Sequence, residues 1–238
     1  MKIKRYGDRA MLIEMKPQID EAVNRQVHVL YHYLLDQKIE GVESYTPAYH
    51  SLTIQYNTKA TSFEELTRIV RSMGNQDEVS PDLGKLFRIP VCYEAGFALD
   101  GEAVEEMTGV SKADLITIHT QAVYHTYMIG FLPGFPYLGQ VDERLAVGRK
   151  AKPSAIVPMG SVGLAGRQTG IYPCGSPGGW QVIGRTPIRM FESGAEMQGA
   201  LLQAGDKVQF FPVSKQDYYR IDKDIESGNF DKRSLHVW

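Results

Sequence analysis

The segment from residue 119 to residue 187 constrains the fold of this chain more than any other part of the sequence. Its 69 residues contain 12 of the 23 glycines and 7 of the 12 prolines, set between short apolar runs. Glycine supplies the positive φ angles of tight turns, and proline interrupts the hydrogen-bond ladders of strands. Because Tyr, Phe, Ile, Val and Trp are interleaved with them, disorder is disfavoured. The pattern predicts a β-barrel or sandwich with long, structured loops.

The first 85 residues predict a small α/β unit of strand, helix, strand and helix. The apolar run 10–13 indicates a strand within residues 2–14, and residues 51–56 alternate as a half-buried strand does. Ser62 and Glu65 form a capping-box pattern, which predicts a helix over residues 63–73. The first helix is indicated by apolar residues at helical spacing, namely Val23, Val27, Leu30, Tyr31 and Leu34.

The run GNQDEVSPDLGKL, residues 74–86, lacks apolar periodicity and predicts a turn-rich linker. We therefore expect two domains, covering residues 1–85 and 86–238. In the second, residues 87–93, 188–191 and 207–212 are expected as strands. Asp100 and Ser111 are expected to begin two short, peripheral helices, the first of which ends at Gly109.

The composition excludes several classes of function. A formal charge of −2 and a pI near 6.3 argue against nucleic acid or an anionic membrane surface as the partner. No signal-peptide pattern and no run of roughly 18 apolar residues occurs, so we expect a cytoplasmic protein. Cys92 and Cys174 show neither disulfide nor zinc spacing, and two buried free thiols are expected.

Two runs could carry chemistry. GFLPGFPYL, residues 130–138, predicts a rigid aromatic shelf that either packs on the core or presents a ligand or partner surface. The run 160–173 alternates small residues with Arg, Gln and Thr, as carboxylate or phosphate sites do. Residues 119–187 hold six basic and two acidic residues, a charge of +4, which favours an anionic ligand or a merely solvated basic face.

Common cofactor and metal patterns do not occur. The sequence has neither a GxxxxGK[ST] motif nor a GxGxxG motif opening a helix after a strand, so neither familiar phosphate-binding loop is predicted. His28 and His32 are four residues apart without a third ligand, so no metal site is predicted. His119 and His125 could act as acid or base, or be structural.

The run VYHTYMIGFLPGFPYL, residues 123–138, closely resembles the signature of the PxpB/KipI family, also called allophanate hydrolase subunit 1. The runs VPMGSVGLAGRQTGIYP, SPGGW and IGRTP resemble it in the same order. Near the start, YGD (residues 6–8) and PAYHSL (residues 47–52) extend the likeness to essentially the whole chain.

The resemblance implies an α+β protein, with a small ferredoxin-like-type α/β domain followed by a cyclophilin-like β-barrel domain. It also implies the B subunit of an ATP-dependent 5-oxoprolinase, which opens 5-oxo-L-proline to L-glutamate together with subunits A and C. ATP would be a co-substrate, with Mg²⁺ at a shared site and no tightly bound cofactor. Some relatives instead inhibit a sporulation histidine kinase, and others are fused in urea amidolyase-type enzymes. Prolyl isomerase activity would be supported only by the resemblance of the barrel, and a fold alone does not imply an activity.

Site residues follow from the same resemblance. His119 and Arg185 are expected to be catalytic. A small carboxylate or anion is expected to meet Arg149, Arg167, Gln168, Thr169 and Tyr172. The partner or pocket surface is expected to contain Phe131, Pro133, Phe135 and Tyr137.

One departure from the family pattern weakens the anion site. Pro-Arg pairs are usual where this chain has Gly148-Arg149 and Pro153-Ser154. Arg149 keeps its guanidinium, but a serine cannot replace the bidentate grip of an arginine. The sequence therefore predicts no arginine-type anion contact at residue 154.

Overall fold

The computed structural model describes residues 1–73, 84–193 and 198–237. The chain divides into two compact units, Met1–Leu83 and Gly84–Trp238. Most of the predicted linker, its residues 74–83, lies outside the described residues. The linker and the domain limits at residues 85 and 86 therefore stay predictions.

The first unit is an antiparallel sheet with two helices packed on it. The sheet has the order β1-β2-β4-β3. Its elements are β1 (Lys2–Arg5), β2 (Ala10–Glu14), α1 (Glu21–Asp36), β3 (Val42–Pro47), β4 (Ser51–Tyr56) and α2 (Phe63–Ser72).

Strand alternation explains the packing of this unit. Met11 and Ile13 of β2 point to one side and pack in one buried cluster with Leu30 of α1. The predicted cap of α2 is confirmed, since the Ser62 side chain accepts a hydrogen bond from the Glu65 N–H at 3.2 Å. The cluster anchors both helices to the sheet.

Two expectations for this unit were incomplete. The predicted strand over residues 2–14 is a hairpin of β1 and β2, because residues 6–9 form the connection between the strands. The strand β3 was missed, since VESYTP carries little apolar alternation at the edge of the sheet.

The second unit contains a curled eight-stranded sheet with the order β12-β9-β10-β7-β6-β15-β5-β16. Short helical turns occur at Glu143–Leu145 and Lys232–Leu235. The strands and helices are β5 (Leu86–Val91), α3 (Gly101–Thr108), α4 (Lys112–Gln121), β6 (Val123–Ile129), β7 (Pro136–Gly139), β8 (Ser154–Val157), β9 (Ser161–Ala165), β10 (Gln168–Ile171), β11 (Ser176–Gly178), β12 (Gln181–Arg185), β13 (Phe191–Ser193), β14 (Gln198–Ala200), β15 (Lys207–Pro212), α5 (Lys215–Glu226) and β16 (His236–Val237).

Two connections shape this sheet. β15 lies between β5, to which it is parallel, and β6, to which it is antiparallel. The residue after β5, Cys92, exchanges two backbone hydrogen bonds of 2.9 Å with Arg185 at the end of β12. The sheet therefore curls until its β12 edge meets the end of β5. The interior is filled by apolar side chains such as Ile89, Leu164 and Phe210, and burying one contributes about 2 kcal/mol.

The α+β class predicted from the sequence is confirmed by this mixture of helices and largely antiparallel sheets. The predicted strand over residues 207–212 is confirmed, and Gly109 ends α3 with a φ of +69° as expected. The narrower description of the second domain as cyclophilin-like stays a prediction.

Some local predictions for the second unit were wrong. Residues 188–190 are not a strand, because the Ile188 N–H bonds to the Thr186 hydroxyl in a local turn. Asp100 is the N-cap residue of α3 as expected, but its side chain makes no capping hydrogen bond with the helix. Cys92 is buried and free as expected, whereas Cys174 is free but exposed in a turn. α4 is short but not peripheral, since it carries the buried His119 into the core.

Candidate anion-binding site

Arg167 and Arg185 lie at opposite ends of β9. Arg185 is paired with Ser161, the first residue of β9, and Arg167 follows Ala165, the last. Four strand steps separate these ends by about 13 Å along the strand. The two arginines therefore have different surroundings and do not form one binding site together.

Arg185 is half-buried beside a second basic residue. Its Nε donates to the Met159 carbonyl at 2.8 Å, and the nearby Arg189 is paired with Asp222 at 3.1 Å. Burial raises the pKa of the Tyr218 hydroxyl, while the charges of Arg185 and Arg189 oppose that rise. This end of β9 is thus a cationic region next to a tyrosine.

Arg167 is exposed in the turn between β9 and β10. Its carbonyl accepts a hydrogen bond from the Val141 N–H at 2.9 Å. The neighbouring Asp142 has its pKa lowered to about 2, mainly by hydrogen bonds from Arg144 and to a lesser extent by the charge of Arg167. The positive charge of Arg167 therefore acts on Asp142, whose hydrogen-bonded partner is Arg144.

Arg149 lies beside the aromatic cluster. Arg149 is exposed, and its Nε would lie 3.9 Å from a Cβ atom placed on Gly179. Burial raises the pKa of the Tyr137 and Tyr172 hydroxyls, and the positive charge of Arg149 opposes both shifts. This region unites three of the predicted residues, Arg149, Tyr137 and Tyr172.

The predicted aromatic shelf exists and is centred on Phe135. The Phe135 ring packs edge-on against Tyr172 at 5.2 Å and Trp180 at 5.4 Å, and Tyr137 lies 4.9 Å away. Glycines make the close packing feasible, because a Cβ on Gly178 would stand 2.3 Å from the Tyr172 hydroxyl. Phe135, Tyr172 and Trp180 are buried, so the shelf is an extension of the core with Tyr137 at its edge.

The loop ahead of the shelf presents an exposed surface. Phe131 is 62% exposed, packs its ring edge-on to Phe135 at 5.8 Å and has a φ of +67°. Pro133 is exposed as well, and backbone hydrogen bonds from Gly130 to Phe135 and from Phe135 to Leu132 hold the loop. A bulky residue with a positive φ is strained unless its surroundings hold it there. The core-packing interpretation of GFLPGFPYL therefore holds for Phe135, whereas a ligand or partner surface at Phe131 and Pro133 stays a prediction.

His119 and Thr169 face the interior of the curled sheet. The His119 Nδ1 is 2.7 Å from the Tyr93 hydroxyl, and its Nε2 is 3.1 Å from the Thr169 hydroxyl. Phe210 stacks on the imidazole at 4.6 Å. Burial lowers the pKa of His119 to about 3, so the ring is neutral near pH 7. A neutral imidazole can orient the Thr169 hydroxyl. Because His119 is buried, a ligand from solvent could contact its ring only if the surrounding residues moved.

Gln168 is half-buried on β10. Because successive strand residues point to opposite faces, Gln168 lies on the other side from Thr169. It shares that side with Gly170, where an added Cβ would meet Phe135 and Trp180. Gln168 therefore belongs with the aromatic cluster, and the predicted site residues divide between the two faces of the sheet.

Two site neighbours were missed from the sequence, Asp100 and Lys150. Their side chains form an ion pair with 2.6 Å between Lys150 Nζ and Asp100 Oδ2, and both side chains are 17% exposed. The sequence predicts Asp100 only as a helix cap and Lys150 only as part of the basic segment. No sequence signal joins two charges so far apart in the chain, so only the fold reveals the pair.

A separate cavity of about 450 Å³ lies between α3, α4 and the loop after β5. Its wall includes Tyr93, Leu99, Glu102, Glu105, Lys112 and Ile183. None of the predicted site residues is among its lining residues within the described chain. The cavity and the cluster around Arg149 are therefore different features.

Among the described residues, no three His, Cys, Asp or Glu side chains lie together as a metal site would require. The described helices include none with the length and apolar character needed to cross a bilayer.

Residues 1–202 match the family model described as "Carboxyltransferase domain, subdomain C and D". Since the match covers most of the chain, this protein belongs to that family. The chain is 39% identical to a protein of Bacillus subtilis (strain 168) named as the B subunit of 5-oxoprolinase, over 91% of this chain and 95% of the relative. It is 33% identical to the protein of the same name from Escherichia coli O157:H7, over 87% of this chain and 93% of the relative.

A solved structure shares the fold. The crystal structure of TTHA0988 matches with a TM-score of 0.78 and 30% identity over 87% of this chain. The matching region is 40% of the TTHA0988 chain, so this protein spans less than half of that chain.

Proposed function

We propose that this chain is the B subunit of an ATP-dependent 5-oxoprolinase, which opens 5-oxo-L-proline to L-glutamate in a complex with subunits A and C. The observation that carries the proposal is the match to proteins named as that B subunit, collinear over 91% of this chain and 95% of one such relative. A match across both units of the chain supports a shared role for the whole protein rather than for one motif.

The reaction explains the need for ATP. A five-membered lactam is a stable amide whose nitrogen is a poor leaving group. Transfer of the γ-phosphoryl group of ATP to the lactam oxygen forms a new O–P bond, releases ADP and makes the ring carbon electrophilic. Water then attacks that carbon, the C–N bond breaks as the nitrogen takes up a proton, and an acyl phosphate of the opened chain remains. A second water cleaves this acyl phosphate, which gives the carboxylate of L-glutamate and inorganic phosphate. Such chemistry depends on positioning and on cations facing the transferred group.

The region around Arg149 suits the substrate carboxylate best. An exposed guanidinium beside half-buried Tyr137 offers a charged donor next to an apolar surface, as a small carboxylate ligand needs. In this proposal Gln168 donates from the same side of β10, and Tyr172 holds the shelf in shape. Arg167 is a further cation at the margin of the site.

Arg185 and His119 have separate roles in the proposal. Arg185, in the cationic region at the other end of β9, faces phosphate-bearing groups that other subunits bring. His119 acts through Thr169 as an orienting residue, because its imidazole is neutral and enclosed.

Other subunits supply the remainder of the catalytic centre in this proposal. Mg²⁺ would enter with ATP, since magnesium is usually held by nucleotide phosphates, water and one or two carboxylates rather than by a dedicated protein cage. We accordingly propose that this chain has no turnover alone, and that the complex works in the cytoplasm.

A second candidate is a non-catalytic inhibitor of a sporulation-type histidine kinase. The exposure of Phe131 on a held loop favours it, because a rigid aromatic residue is a common anchor in protein interfaces. In this alternative the loop docks on the kinase and blocks phosphotransfer without chemistry.

Reconstitution tests the proposal. ATP hydrolysis is measured with this protein and its A and C partners, omitting each in turn, with 5-oxoproline or allophanate as substrate. Turnover that needs all three proteins and 5-oxoproline supports the proposal. Turnover with allophanate alone, or none in a complex shown to be assembled, contradicts it. Inhibition of kinase autophosphorylation would then support the alternative.

A further inference from the structure

The loop that carries Arg149 is tied down on both sides of that residue. The Gly148 carbonyl accepts a hydrogen bond from Gln181 Nε2 at 3.1 Å, and the Lys150 N–H donates to the Gly179 carbonyl at 2.7 Å. These bonds join the loop to Gly179, between β11 and β12, and to Gln181, the first residue of β12. The backbone on either side of Arg149 is thereby fixed next to Trp180.

The Lys150 side chain adds a second connection. Its Nζ forms the 2.6 Å ion pair with Asp100 Oδ2 and donates to the Ser154 hydroxyl at 3.0 Å. Ser154 begins β8, so one ammonium group joins the two ends of the loop 150–154. The Ser154 hydroxyl thus serves as an acceptor for Lys150 at the start of β8.

Asp100 extends the connection to the large sheet. Its Oδ2 also accepts a hydrogen bond from the Val182 N–H at 2.7 Å, and its own N–H donates to the Val182 carbonyl at 2.8 Å. Asp100 is thus bound to β12 through backbone and side chain together. This explains why it makes no capping bond with α3.

We propose that Asp100 and Lys150 are positioning residues that hold Arg149 in place for the substrate carboxylate. The inference rests on the proposed function, because it takes Arg149 as the group that meets substrate. An ion pair that is mostly buried, and supported by further hydrogen bonds, holds a defined geometry better than an exposed pair does. If the ion pair is broken, Arg149 is still present but the loop that carries it is no longer held. Misplacing a binding group by about 1 Å can lower the reaction rate strongly.

The test uses the assembled complex with Lys150→Met, Asp100→Asn, the double variant and Lys150→Arg. Lys150→Met should raise the KM for 5-oxoproline about tenfold with a smaller change in kcat, because Arg149 binds ground state and transition state alike. Asp100→Asn should act in the same direction, and the double variant should be no worse than the poorer single variant, as expected for partners in one interaction. Lys150→Arg should recover most of the loss.

A readout without turnover accompanies the kinetics. The chain has two tryptophans, so in the isolated chain Trp238→Phe leaves Trp180 as the single tryptophan, which can be excited selectively over the tyrosines. Acrylamide should quench Trp180 more strongly in Lys150→Met, since the loop is bonded to Gly179 next to it. Lys232→Met is the matched control, because Lys232 forms another partly buried ion pair, with Glu192, on a different part of the same unit. It should leave the KM and quenching unchanged.

Normal KM and normal quenching in folded Lys150→Met would overturn the inference, as would equal effects in Lys232→Met. Failure of the wild-type complex to turn over 5-oxoproline would instead contradict the proposed function, and the quenching comparison would then decide whether the ion pair holds the loop.

Discussion

The Tyr93 hydroxyl lies 2.7 Å from His119 Nδ1 inside the curled sheet, and the other ring nitrogen of His119 reaches Thr169. Three side chains from the end of β5, α4 and β10 thus form one buried polar chain. Burial raises the pKa of Tyr93 well above its usual range and lowers that of His119, so both are neutral. The network connects distant elements without carrying a charge.

This network makes stability depend on pH. The pKa of His119 is about 3 in the folded state and 6.5 when unperturbed, so below pH 6.5 the unfolded chain binds a proton that the folded chain does not. Its contribution is fully present above pH 6.5 and is lost as the pH falls toward 3, at up to roughly 1.4 kcal/mol per pH unit. Urea unfolding at three pH values between neutral and mildly acidic measures this slope. His119→Gln should flatten it, whereas exposed His32→Gln should not; equal slopes in all three proteins would contradict the assignment.

Arg149→Ala should weaken substrate binding in the assembled complex. The loss of the guanidinium is expected to raise the KM for 5-oxoproline about tenfold, or roughly 1.4 kcal/mol. The thermal midpoint should not change, since Arg149 is exposed. Arg144→Ala removes another exposed arginine, paired with Asp142, and serves as the control. A KM within twofold of wild type would remove Arg149 from the substrate site.

Arg185→Ala should act differently from Arg149→Ala. Because Arg185 lies at the other end of β9, its loss is expected to lower kcat or raise the KM for ATP while leaving the KM for 5-oxoproline nearly unchanged. Steady-state kinetics with each substrate varied in turn would separate the two arginines. Unchanged kinetics in a folded variant would show that Arg185 has no part in the reaction.

Phe131→Ser should weaken assembly rather than folding. Truncating a well-placed aromatic anchor typically costs about 2 kcal/mol of binding free energy, or roughly 30-fold in Kd. Isothermal titration calorimetry with each partner, and a thermal melt of the isolated chain, would measure the two effects. Val123→Ser provides a matched control, because Val123 is 50% exposed and outside the loop. Comparable affinities for both variants would argue against Phe131 as an anchor.

Gly178→Ala tests the packing of the aromatic cluster. The new Cβ would stand 2.3 Å from the Tyr172 hydroxyl, so we expect a loss of about 1–3 kcal/mol in unfolding free energy. Removing that hydroxyl with Tyr172→Phe should recover part of the loss. The same Cβ would lie 2.7 Å from Cε1 and 2.8 Å from Cζ of Tyr172, so the recovery is only partial. Gly148→Ala has open space around its Cβ and should be nearly neutral. Denaturant titration measures all of these variants, and a Gly178→Ala loss no larger than that of Gly148→Ala would contradict the clash.

Sequence patterns revealed the parts of the fold that depend on local chemistry. Ser62 with Glu65 marked the start of α2, and the turn sequence 204–206 ahead of residues 207–212 marked β15. β3 was missed because it is an edge strand with exposed and half-buried residues, so its sequence shows no clear alternation of apolar and polar residues. Residues 188–190 were misassigned, since buried apolar residues in a turn look like a short strand.

The candidate site was predictable as a set of residue types but not as an arrangement. The motif around residue 167 joins Arg167, Gln168 and Thr169 in sequence, yet strand alternation and the turn give them three different surroundings. The contribution of Lys150 could not be foreseen, because two helices and two strands separate it from its partner Asp100 in the chain. Only long-range pairing decides which of the basic residues in this segment act together.

The position of β15 has a consequence for synthesis. This strand fills the gap between β5 and β6, although it comes far later in the chain than either of them. Until residues 207–212 have left the ribosome, β5 and β6 each present an unpaired edge, and such edges favour aggregation. A stop codon shortly before residue 207 would therefore leave the centre of the sheet open rather than trim its margin, and the truncated product would depend on chaperones or be degraded.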